Sequence, residues 1–151
     1  MSSFWRSWLT IWCAAVGLFG LVLTGAAFES TDGVARALMT VMGPVAPVFD
    51  APLRFSVALM GAVTLGWGLT LAITIRALDH VPTAQAAPLW RALTGAVVIW
   101  FVVDSAVSIV TGFALNAASN AAFLLAYLIP VLASGALRQD QLAAATRPRT
   151  V

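Results

Sequence analysis

Lysine is absent from this chain of 151 residues, cysteine and histidine occur once each, and only 9% of the residues are charged. Each shortage excludes a class of chemistry. Without lysine there is neither a phosphate-binding P-loop nor a Schiff-base site. A lone cysteine, Cys13, leaves no intramolecular disulfide and no CxxC redox pair. A lone histidine, His80, cannot clamp a haem from both sides, and a Cys/His zinc site needs more ligands. Neither GxSxG nor GxGxxG occurs. No catalytic residue, metal site or cofactor is therefore expected. Soluble domains carry about 25% charged residues, so an ordinary water-soluble enzyme and a disordered chain are both excluded.

What remains is apolar: 61% of residues are hydrophobic and the mean hydropathy is +0.95. These residues fall in long runs, which makes a lipid bilayer the solvent. The net charge of +2 is too small and scattered for a nucleic-acid surface.

The first run, 8–27, carries no charge. At 1.5 Å per residue it is roughly 30 Å long, one bilayer core. Arg6 and the small residues Gly25, Ala26 and Ala27 would also suit a signal peptide. Trp5, Trp8 and Trp12, on one helical face like an interfacial anchor, favour a retained helix. Residues 33–42 predict a short helix, with Asp32 as N-cap and Gly43 and Pro44 as its stop. Ten residues cannot span, so this helix is expected in the interface. Further spans are expected at 53–75 after Pro52, at 89–111 after Pro88, and at 117–137, where Pro130 should kink the helix. Gly112 marks a tight hairpin between the last two.

The expected fold is an all-α integral membrane protein: a four-helix transmembrane bundle over 1–138 with a flexible cytoplasmic tail, 139–151. Arg6, Arg76, Arg91, Arg138, Arg147 and Arg149 fall on one side, against Arg36 and Arg54 on the other. That asymmetry places both termini in the cytoplasm. An alanine- and arginine-rich chain without lysine suits a bacterial inner membrane. Arg147 and Arg149 are expected to touch anionic headgroups.

Helices in lipid associate through small residues. Three stripes qualify: Cys13, Gly17, Gly20 and Thr24; Ala58, Ala62, Gly66, Thr70 and Thr74; and Ala118, Ala122, Ala126, Pro130 and Ser134. They would serve the bundle, a homo-oligomer or a larger membrane complex.

Asp104 is the one acidic residue inside a span, roughly 12 Å from its outer end. A carboxylate there costs about 2.5–3.5 kcal/mol to insert and should face inward. Trp100, Ser108 and Thr111 share its helical face, with Ser105 beside it. Arg54, entering the second span from the same side, is the expected charge partner. Two readings follow: a buried polar lock, or a proton or substrate site. Trp67, Tyr127 and Pro130 are candidate cavity-lining residues or simply packing, and a lipid or quinone pocket would use Trp67, Trp100 and Tyr127. Asn116, Ser119 and Asn120 read as caps of the outer hairpin, Cys13 as packing, and His80 beside Asp79 as a solvated loop residue.

With no catalytic set, the chain is expected to be a non-catalytic accessory or scaffold subunit of a membrane assembly. The alternatives are a small oligomeric proton-coupled carrier using Asp104, and a lipid or quinone binder. The span order, with Arg54 opening a glycine-rich second span, resembles small bacterial four-helix membrane families of the DoxX-like type. That resemblance brings no site residues with it.

Overall fold

A computed structural model describes residues 1–43 and 46–138 of the chain. Five α-helices follow in order: α1 (Ser3–Thr24), α2 (Gly33–Met42), α3 (Ala51–Leu78), α4 (Thr83–Val110) and α5 (Ala114–Ala133). A 3-10 turn, Gly25–Ala27, extends α1. No strand occurs among the described residues. Four of the helices (α1 with its 3-10 turn, α3, α4 and α5) are long and apolar enough to cross a membrane. The expected tail, with Arg147 and Arg149, and the stop at Pro44 lie outside the described residues.

Local chemistry explains the helix boundaries. Ser2 caps α1, accepting from the Trp5 amide, and Asp50 caps α3, accepting from the Leu53 amide at 2.9 Å. Pro52 sits in the first turn of α3, where its missing N–H costs nothing. Gly112, at φ 86°, and Gly135, at φ 66°, are left-handed. At the first, the Phe113 amide donates to the Ser108 carbonyl and Gly112 to Ile109. At the second, Ala136 donates to Val131 and Gly135 to Leu132. Both are Schellman stops, a backbone shape that glycine adopts without strain. Helix α4 begins before Pro88 rather than at it, and α3 and α4 outrun their expected spans at both ends or one.

Helix α1 lies antiparallel on α3 at backbone contact. A Cβ on Gly61 would land on the Thr24 amide nitrogen and 2.6 Å from the Gly20 carbonyl oxygen. One on Gly68 would come within 2.9 Å of the Gly17 nitrogen. The Cys13–Gly17–Gly20–Thr24 stripe therefore faces α3, as expected. The α3 face that meets it is Val57, Gly61, Gly68, Leu71 and Ile75, all buried. Ala62, Gly66 and Thr70 of the expected stripe point outward instead, because the facing rows of α3 are offset by one residue from the four-spaced series. On α5, Ala118 and Ala122 are likewise exposed, while Asn120, Tyr127, Pro130 and Val131 are buried.

Helix α5 packs on the other flank of α1 and pairs with α4. Proline at 130 has no N–H to offer the Ala126 carbonyl. The Trp8 indole supplies that bond instead, donating to Ala126 O at 2.8 Å. One turn on, the Trp12 indole donates to Phe123 O at 3.0 Å. These tryptophans, expected as interfacial anchors, clasp α5 to α1. The core below them joins Leu9, Trp12, Val16, Leu71, Val97, Tyr127 and Val131.

Candidate functional site

Because α1–α3 and α4–α5 are antiparallel pairs, the C-terminal ends of α1 and α4 and the N-terminal ends of α3 and α5 share one end of the molecule. Two polar clusters sit there, and they use up the charges differently.

The first cluster is an ion-pair knot. Asp32, only 5% exposed, lies between two guanidinium groups. Arg36 reaches its Oδ2 at 2.7 Å and Arg54 reaches the same oxygen at 2.8 Å. Arg54 also donates to the Ala26 carbonyl at 3.3 Å and meets the exposed Glu29 at 3.5 Å. Phe49 is buried beneath, with the Arg36 guanidinium 4.5 Å from its ring centroid. A buried carboxylate is tolerable only when paired in this way. The hydrogen bond from Arg36 holds the Asp32 carboxyl below its ordinary range; burial opposes this and the bond from Arg54 adds to it. Two expectations are corrected here. Asp32 occupies the N-cap position of α2 but makes no capping bond; its side chain is turned to the two arginines, which share its Oδ2. Arg54 pairs with Asp32 and not with Asp104, because its side chain folds onto the loop between α1 and α2 instead of reaching along the span.

The second cluster is built on Asp104. Its Oδ1 accepts from Asn120 Nδ2 at 2.8 Å, Asn116 Nδ2 at 2.9 Å and Ser108 Oγ at 3.2 Å. Asn116 also donates to Ser108 Oγ at 2.8 Å, and Asn120 to Ser105 Oγ at 3.4 Å. Both asparagine amides turn their NH2 groups toward the carboxyl oxygen. Ser105, Ser108 and Asn120 are buried. Two amides donate to Oδ1, and the single Ser108 hydroxyl hydrogen is shared between it and the nearer Asp104 carbonyl oxygen, 2.7 Å away; no donor among the described residues reaches Oδ2. Every fully buried side-chain polar atom among those residues has a partner; Oδ2 is therefore not fully buried.

The structure thus joins Asp104 to Ser108 and brings in Ser105, Asn116 and Asn120. Thr111 stays local, its hydroxyl donating to the Val107 carbonyl at 2.7 Å. Trp100 stacks on Trp67 with centroids 4.9 Å apart. Asn116 and Asn120, expected as caps, are side-chain donors across the hairpin; Ser119 bonds the Leu115 carbonyl within α5. A signal for this was present. Ser108 and Asn116 stand four residues either side of Gly112, and Asp104 and Asn120 eight residues either side. In a tight antiparallel hairpin, positions equidistant from the turn face each other.

Trp67, Tyr127 and Pro130 fill space within the core. The Trp12 ring lies 6.4 Å from Trp67 and 5.2 Å from Tyr127. Tyr127 is fully buried, its hydroxyl 3.1 Å from Thr94 Oγ1, and Pro130 is buried beside it. Set against family models, curated proteins and solved structures, the chain matches none.

Proposed function

We propose that this chain is a small multi-pass inner-membrane protein serving as a non-catalytic accessory or scaffold subunit of a membrane assembly. In this reading the four long helices form a bundle, α2 lies in the outer interface, and both termini are cytoplasmic. The observation that carries it is the outward stripe of α3. Ala62, Gly66 and Thr70 are exposed at four-residue spacing, and Gly66 has open space above it. Small residues at that spacing let a neighbouring helix approach closely, and among the described residues these three stay exposed. The ion-pair knot and the Asp104 cluster spend their polar groups mostly on holding the chain's own helices and loops together, as a scaffold requires.

Native mass spectrometry of the protein, gently extracted from its own membrane, tests this. Heterologous subunits that stay bound are the expected result; a lone monomer or homodimer would overturn it. The orientation is tested by single cysteines in a Cys13→Ala background. An impermeant thiol reagent added outside intact cells should label a cysteine at Thr31 and not one at Ser2.

The open Oδ2 of Asp104 favours a second reading, a small oligomeric proton-coupled carrier. In that case Asp104→Asn would abolish flux in reconstituted vesicles while leaving the fold unchanged.

A further inference from the structure

The Asp104 carboxylate is half satisfied. Its Oδ1 takes the amides of Asn116 and Asn120 and a share of the Ser108 hydroxyl, and its Oδ2 takes no donor from the described residues. It lies six residues before the end of α4, about 9 Å inside the helix. No cationic side chain among the described residues forms an ion pair with it. At this end of the molecule the described basic residues are Arg36 and Arg54, and both are bonded to Asp32. Arg6, Arg76, Arg91 and Arg138 belong to the opposite end, at the start of α1 and α4 and the close of α3 and α5. A carboxylate at this depth without a counter-charge is costly, and a cation from a neighbouring chain would offset that cost.

The geometry separates the possible cations. A free hard ion needs about six or more oxygen ligands. Here both asparagine amides direct N–H groups at the carboxylate, and a single oxygen is left open. A guanidinium or ammonium needs only one charged acceptor, in a short charge-assisted bond. Val103 and Val107, close to Asp104 on the same helix, are exposed, a setting that a neighbouring apolar helix can cover. A second copy is a poor donor, since its own Arg36 and Arg54 would be held by its own Asp32.

We propose that Asp104 Oδ2 receives the arginine or lysine side chain of a membrane helix from a different polypeptide, the neighbour in the assembly. This rests on the accessory-subunit reading and names the chemistry of the partner.

The test uses the purified full chain in phosphatidylcholine vesicles. The probe is a dansyl-labelled Leu/Ala transmembrane peptide of about 20 residues, carrying one arginine about 9 Å from its end. A glutamine peptide is the control. Energy transfer from the native tryptophans reads association, and circular dichroism verifies helix content in each variant. The arginine peptide should bind about tenfold more tightly than the glutamine peptide, as one charge-assisted hydrogen bond warrants. That preference should vanish in Asp104→Asn and persist in Asp104→Glu. Equal binding of the two peptides, or a preference that survives Asp104→Asn, would overturn the contact. Native mass spectrometry separates this from the underlying reading. Subunits retained equally by wild type and Asp104→Asn overturn the Asp104 contact alone. A wild-type chain that emerges without subunits overturns the accessory reading and the contact with it.

Discussion

Two glycines on α3, five residues apart, should respond in opposite ways to the same methyl group. In Gly61→Ala the new Cβ would fall on the Thr24 amide nitrogen, 2.6 Å from the Gly20 carbonyl oxygen and 2.7 Å from the Leu23 carbonyl carbon. All three are backbone atoms, so no rotamer change relieves the clash. Helices α1 and α3 must part by about 1 Å, and a gap of that size forfeits roughly a quarter to a half of each dispersion contact along the crossing. Overpacking of this kind costs about 1–3 kcal/mol. In Gly66→Ala the Cβ meets nothing within 4 Å. That variant should range from neutral to about 1 kcal/mol more stable, through helix propensity. Reversible unfolding by SDS in mixed micelles, followed by circular dichroism, gives both free energies. Equal shifts, or a larger loss from Gly66→Ala, would refute the α1–α3 crossing and place the contact on the four-spaced stripe of Ala62, Gly66 and Thr70.

Three further outcomes are expected. Trp8→Phe removes the donor that replaces the missing N–H of Pro130, and should cost about 1 kcal/mol. The cost should shrink in a Pro130→Ala background, where the restored amide serves the Ala126 carbonyl; a double-mutant cycle by SDS unfolding measures the difference. Asn120→Ala takes a buried donor from both Asp104 and Ser105, and should destabilise the α4–α5 hairpin by about 1–3 kcal/mol, read as faster proteolysis at the hairpin. Asp32, whose carboxyl is held low chiefly by Arg36, contributes stability above its unfolded value of about 4. That contribution is lost as pH falls through the lower folded value. Melting temperatures between neutral and strongly acidic pH should therefore drop steeply on the acid side for wild type, and Asp32→Asn should flatten that limb; parallel curves would contradict the pairing.

Much of this architecture is legible in the sequence, because each part depends on local chemistry. Apolar runs of bilayer length mark four helices. Pro52 marks the start of α3 and Gly112 the end of α4, whereas Pro88 and Pro130 lie inside helices. The hairpin partners of Asp104 could be counted outward from Gly112, since a two-helix turn sets their register. The choice among helix faces belongs to the tertiary structure. In an alanine-rich span two small-residue rows, one through Gly61 and one through Gly66, look alike, and only the azimuth of α3 against α1 decides which is buried. The fate of Arg54 is likewise a long-range matter. The path of the loop before α2 brings Asp32 to within 2.8 Å of its guanidinium. The same holds for Trp8. Its hydrogen bond to a carbonyl that Pro130 leaves free joins residues 118 positions apart, a meeting that depends on how α5 lies against α1.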